Sequence, residues 1–299
     1  MNQNATKKRA ASARQSGAGS QKHPEDAVRE ALRPGQSVEL LKALHILTRD
    51  GRLNQDSRRK LKQVEHLVQF IEKIVGELTP HAGALTLADH GAGKSYLGFI
   101  LYDLLLKGQD GATVYGIETR PELVERSRAL ADRLGFARMR FLNIAAADAV
   151  QDAALPERID IVTALHACDT ATDDALARAV EWGAGLVLAA PCCHHDLAAQ
   201  LRRLPAPEPY AALTRDGILR ERFADTLTDA VRALLLRRSG YRVEVVEFVE
   251  SKHTPRNTLL RAVRTGDGGA ADARHEYADL VAAWGIRPRL GELLGPVGG

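Results

Sequence analysis

The chain lacks any apolar run near the roughly 20 residues that a bilayer span requires, and its start lacks the apolar core of a secretory signal. No membrane partner is expected, and a reducing cytoplasmic setting is. Cysteine is scarce, with Cys168, Cys192 and Cys193 the only three in 299 residues. An odd number with two adjacent argues against a disulfide framework. Net charge is small, +3, which excludes a uniformly polyanionic or polycationic protein. Internal repeats are absent. Acidic residues are missing before Glu25, while Lys7, Lys8, Arg9, Arg14 and Lys22 are present. This segment also lacks the apolar face of an organelle presequence, so a disordered basic tail over 1–35 is the expectation.

What is present is a globular composition, 45% hydrophobic and 26% charged, on a chain long enough for one large domain with an appendage. Residues 1–80 hold an excess of Lys and Arg, including Arg52, Arg58, Arg59, Lys60 and Lys62, and the remainder is slightly acidic. Helical periodicity runs from Val38 to Leu47, then from Asn54–Ser57 to Leu78 through Leu61, Val64, Leu67, Val68, Ile71 and Ile74. These pieces form an expected helical extension over 36–80. The cations in the second helix's first turns sit poorly with the positive end of its dipole and would suit an external anion.

From residue 84 strands and helices alternate. Strands are predicted at 84–89, 112–118, 138–143, 159–165, 185–190, 241–248 and 258–263, with helices at Pro121–Leu134, Thr172–Trp182 and Asp225–Arg238. Alternation of this kind predicts an α/β fold, a mostly parallel seven-stranded sheet with helices on both faces. The domain is placed at 81–266, and 267–299 forms a C-terminal helical tail.

The first strand ends in Asp89-His-Gly-Ala-Gly-Lys-Ser95, and the second ends in Glu118. Glycines after one strand admit a ligand close to the backbone, and an acid after the next accepts hydrogen bonds from a ribose. Gly93-Lys94-Ser95 also matches the tail of a phosphate-binding P-loop, but Ala88 stands where that motif needs its first glycine. The order Asp-x-Gly-x-Gly followed by Glu resembles the class I methyltransferases that use S-adenosylmethionine (SAM). Asp89, Gly91, Gly93, Ser95 and Glu118 are the expected cofactor residues.

Three polar loops follow later strands: His166-Ala-Cys-Asp-Thr-Ala-Thr-Asp173, Ala190-Pro-Cys-Cys-His-His195 and Ser251-Lys-His-Thr-Pro-Arg-Asn257. On a doubly wound sheet such loops border the ligand crevice. Together they resemble a methyltransferase family with a PCCH signature, related to the tRNA acceptor-stem 2′-O-ribose methyltransferases. The resemblance spans about residues 55–265. It implies a Rossmann-like class I fold, SAM as cofactor, and Asn143, Ile144 and His166 near the cofactor. Ser95 departs from the third glycine that many members carry.

Methyl transfer is an in-line displacement that gains from positioning, and a hydroxyl acceptor gains from a base near neutral pKa. His166, His194 and His253 are the candidate bases, with Asp169 to orient one of them. Cys192 and Cys193 complete the candidate set, either shaping the loop or attacking a base as in RNA 5-methylcytosine enzymes. Zinc ligation by the Cys/His cluster is disfavoured by the contiguous spacing, so no metal is expected. The basic extension and the family's relatives make RNA, tRNA above all, the expected substrate. The alternatives are a protein or small-molecule acceptor, or a SAM- or RNA-binding module without turnover.

Overall fold

The computed structural model describes residues 24–165, 167–191, 193–247, 258–266 and 270–295. Its first elements are α1 (Pro24–Ala31), α2 (Val38–Ala43) and α3 (Gln55–Glu77). The tail expected over 1–35 is thus already helical at Pro24–Ala31. Ser37 caps α2 by accepting from the Leu40 amide, and Asn54 caps α3 by accepting from the Ser57 amide at 2.7 Å. Of the predicted apolar stripe of α3, Leu61, Val64, Val68 and Ile71 are buried and Ile74 is half-buried, while the Leu67 side chain lies outside the described residues.

The sheet comprises β1 (Thr86–His90), β2 (Thr113–Ile117), β3 (Met139–Leu142), β4 (Ile161–Ala164), β5 (Leu186–Ala189), β6 (Tyr241–Glu247) and β7 (Thr258–Arg264). Their order is β3-β2-β1-β4-β5-β7-β6, all parallel except β7, which runs antiparallel to both neighbours. This is the expected Rossmann-like, mostly parallel arrangement. Successive side chains of a strand point to opposite faces, so each strand feeds two cores. Leu87, Val114, Leu186 and Leu188 join the core beneath α3, α4 (Tyr96–Leu101) and α5 (Pro121–Leu134). Ala88, Tyr115, Val162 and Val187 join the core beneath α6 (Thr170–Trp182), α7 (His195–Arg203) and α9 (Gly217–Arg238), while the short α8 (Ala212–Arg215) buries no residue. Near-continuous apolar runs are what strands buried on both faces require. The C-terminal region adds α10 (Ala270–Trp284) and α11 (Arg289–Leu294).

Helix ends follow local chemistry. Pro121 opens α5, and Gly135 and Gly183 close α5 and α6 in the left-handed conformation. Helix α4 passes into a π-helical turn, Tyr102–Leu106. The α9 helix begins eight residues before the predicted Asp225. Its first turns expose Ile218 and Leu219, so no apolar stripe marks them in the sequence.

Strand order reverses between β1 and β4. The connections from these two strands leave in opposite directions and open a crevice at their carboxyl ends. At the amino ends, Asp160 ties the extension to the sheet. Its Oδ1 accepts from the His81 amide at 2.9 Å, and its Oδ2 accepts from the Thr86 amide and hydroxyl at 2.8 Å.

Candidate cofactor and acceptor crevice

The turn after β1 is held from three sides. Gly91 has φ +59°, and a β-carbon there would lie 2.9 Å from the Ala167 Cα, so the loops after β1 and β4 nearly touch and only glycine fits between them. Ser95 is fully buried with φ +48°, a left-handed conformation that favours glycine. Its hydroxyl offsets part of that strain by donating to Asp89 Oδ2 at 3.1 Å. The other Asp89 oxygen accepts from the Thr163 hydroxyl at 2.7 Å. Asp89 therefore pins the glycine turn to β1 and β4. Lys94 points to solvent.

Glu118 closes the other side of the turn. Its Oε2 accepts from the Gly93 amide at 2.7 Å, and Asn143 Nδ2 donates to the Glu118 carbonyl at 3.0 Å. Ile144 packs beside them against the core under α6 and α9. Burial raises the Glu118 carboxyl, but hydrogen bonds from Arg120 and Gly93 outweigh it and bring the group down to about 2. The result is an ionised acceptor facing a glycine turn at the switch point of a doubly wound sheet, a donor and acceptor set that fits an adenosyl ribose.

A family model described as a methyltransferase domain matches residues 59–200. The chain carries a methyltransferase domain. No curated protein matches the sequence. Among solved structures, similarity extends to a Podospora anserina methyltransferase bound to S-adenosylhomocysteine (SAH), with 12% identity over 81% of this chain and 93% of the other and a TM-score of 0.45. It also extends to the SAH-bound magnesium protoporphyrin IX methyltransferase of Synechocystis, with 17% identity over 81% and 100% and a TM-score of 0.42. An rRNA methylase of Streptococcus thermophilus matches with 10% identity over 66% and 95% and a TM-score of 0.42.

In this methyltransferase the loops after β4 and β5 meet through Asp169 rather than through a histidine. Asp169 has φ +52°, and its Oδ1 accepts from the amides of His195 (2.8 Å) and Asp196 (3.1 Å), which open α7. Two first-turn amides that α7 leaves without an internal partner are thus satisfied from the neighbouring loop. Asp169 Oδ1 thus caps α7.

His194 is likewise held by side chains distant in the chain. It is 3% exposed, with Nε2 2.9 Å from Asp229 Oδ1 and Nδ1 3.1 Å from Asp225 Oδ1. The Nδ1 contact is poorly aligned and acts as an ion pair. Burial lowers the pKa of His194, but the carboxylates of Asp225 and Asp229 prevail and raise it. Both nitrogens face carboxylates of α9, and these contacts anchor the PCCHH loop to that helix.

Sequence reasoning missed the partner that joins these groups. Arg232 of α9 is 1% exposed and forks onto Asp173 through Nε and Nη2, both at 2.8 Å. Its Nη2 also donates to the Asp169 carbonyl at 2.9 Å, and its Nη1 lies 3.9 Å from Asp229. Asp169, Asp173 and Asp229 thus meet one buried guanidinium, and His194 joins Asp229 to Asp225. The only signal in the sequence is an arginine inside the apolar stretch 231–236 of α9. Of the cysteines, Cys168 is exposed and Cys193 half-buried, and they form no disulfide with each other. His166, Cys192 and His253 lie outside the described residues.

Proposed function

We propose that this methyltransferase acts on RNA, with tRNA the favoured class. Within this reading Glu118 and the turn Gly91–Ser95 hold the cofactor ribose, Asp89 braces the turn, and Asn143 and Ile144 flank the adenine. SAM supplies an electrophilic methyl group. The chain supplies alignment of the acceptor through the β4 and β5 loops, and His166 or His253 takes the acceptor proton.

The observation that carries the acceptor class is a groove of about 510 Å3 between residues 31–36 and α3, lined by Arg33, Arg58 and Lys62. Arg33 is committed to Glu65 and Glu72, while Arg59 and Lys60 pair with Asp56. Among the described residues no ion pair holds Arg58 or Lys62, and both are exposed one helical turn apart. Two unneutralised cations near a helix N-terminus suit phosphates of a nucleic-acid backbone.

The test is transfer of labelled methyl from SAM into total RNA and total protein extracts, with Glu118→Ala as the control. Label in RNA is expected, and nucleoside digestion would then name the acceptor atom. Label confined to protein would overturn the reading. A paired Arg58→Glu and Lys62→Glu variant should bind RNA more weakly, with a salt slope reduced by about 2, and should bind SAH as the parent does.

A further inference from the structure

The carboxylate assigned to the ribose is already engaged. A carboxylate offers about four lone-pair sites. On Glu118, Oε1 accepts from the Arg120 amide at 3.1 Å and from Arg120 Nε at 3.0 Å. Oε2 accepts from the Gly93 amide at 2.7 Å and from Arg120 Nη2 at 3.0 Å. The Thr119 hydroxyl adds a longer contact to Oε1 at 3.4 Å, so five donors crowd about four sites. The two Arg120 side-chain donors come from one edge of one guanidinium, with one bond to each oxygen. That is the pattern in which the two hydroxyls of a ribose cis-diol would bind.

We propose that Arg120 is a built-in competitor for the cofactor ribose, so that SAM binding is an exchange in which the diol displaces the guanidinium fork from Glu118. The proposal rests on the assignment of Glu118 as the ribose acid. The backbone donors of Gly93 and Arg120 can stay, since each leaves one site on its oxygen for a hydroxyl. The Arg120 side chain has to move, and the Thr119 hydroxyl, at 3.4 Å from Oε1, has only to rotate away. Arg120 is free to move, being 58% exposed where Glu118 is 6% exposed. It caps nothing on α5, although it sits at the helix's N-terminal boundary. Glu122, in the first turn of α5, already interacts electrostatically with Arg120 and can take up the released charge. The arrangement keeps a buried carboxylate ionised and satisfied between turnovers, since an ionised carboxylate stripped of donors in a buried site is costly.

SAH binding by calorimetry at pH 8, where Glu118 stays ionised after loss of its guanidinium, tests this with Arg120→Met, Arg120→Lys and Glu118→Gln. Arg120→Met should bind SAH about 3-fold more tightly than the parent, the size expected for removal of a largely exposed ion pair. The gain should shrink as salt screens the pair in the parent, and Arg120→Lys, a point charge without the fork, should fall between. The same gain should appear with 5′-methylthioadenosine, which keeps the diol and lacks the amino-acid carboxylate. Equal or weaker SAH binding by Arg120→Met overturns the proposal. A loss seen with SAH and absent with methylthioadenosine would make Arg120 a ligand of the cofactor carboxylate instead. If Glu118→Gln binds SAH as the parent does, the assignment of Glu118 itself fails and the competitor role falls with it. Melting temperatures of the ligand-free variants verify that each is folded.

Discussion

Two buried histidines at the carboxyl end of one sheet are treated in opposite ways. His90, the last residue of β1, is fully buried, stacks on Trp182 at 5.6 Å between centroids, and has no hydrogen-bond partner on either nitrogen. Burial first and the charge of Arg178 second push it down to about 3. His194, beyond β5, is buried almost as deeply but lies between two carboxylates, and its pKa rises. Burial therefore does not decide whether a histidine is charged. The partners that the fold supplies decide it. The end of β1 holds a neutral, buried aromatic pair, and the loop after β5 borders a buried ionic network.

The network side should show the largest effect. Arg232→Met strips the buried guanidinium from Asp173 and leaves Asp225 and Asp229 with His194 alone. Loss of one partner from such a cluster costs about 3–5 kcal/mol, readable as a lower urea midpoint. A loss below 1 kcal/mol would mean that solvent reaches the network. On the other side, His90 must stay neutral in the fold while the unfolded chain protonates it below its ordinary value of 6.5. Its contribution therefore destabilises progressively as pH falls from 6.5 towards 3, by on the order of 3 kcal/mol at pH 4. His90→Leu should remove that slope. A stability difference between the two proteins that does not change with pH would refute the neutral assignment.

His194 carries the reverse sign. A raised pKa gives stability that is fully present below 6.5 and lost as pH climbs through the raised value. Relative to His194→Gln, the parent should lose stability as pH rises above 6.5, opposite to the His90 pair. The substitution itself should cost about 2 kcal/mol at pH 6. The smallest effect belongs to Asp169. Asp169→Ala should lose about 1 kcal/mol with the α7 cap. Asp169→Gly should lose less, because glycine relieves the φ of +52°. Equal losses for the two substitutions would show that the strain is absent.

How much of this could be read beforehand differs between the two sides. The glycine turn, Glu118 and all seven strands follow from local pattern, because a strand buried on both faces must be apolar and a tight turn beside a ligand must be small. The roles of Asp169 and His194 could not be read, since their partners stand 26 residues or more away in the chain. Arg120 was also missed, although it is two residues from Glu118. Sequence proximity does not say that a flexible side chain folds back onto its neighbour.

By itself the sequence determined the alternation of strands and helices, the apolar stripe of α3, and the placing of the β4 and β5 loops at one end of the sheet. All of these depend on periodicity and turn chemistry within a few residues. Only the tertiary structure decided which charges those loops carry. Packing α9 against the β4 and β5 loops brought Arg232, Asp225 and Asp229 to the motif residues. In a site removed from water, the nearest buried opposite charge fixes the protonation state of each group.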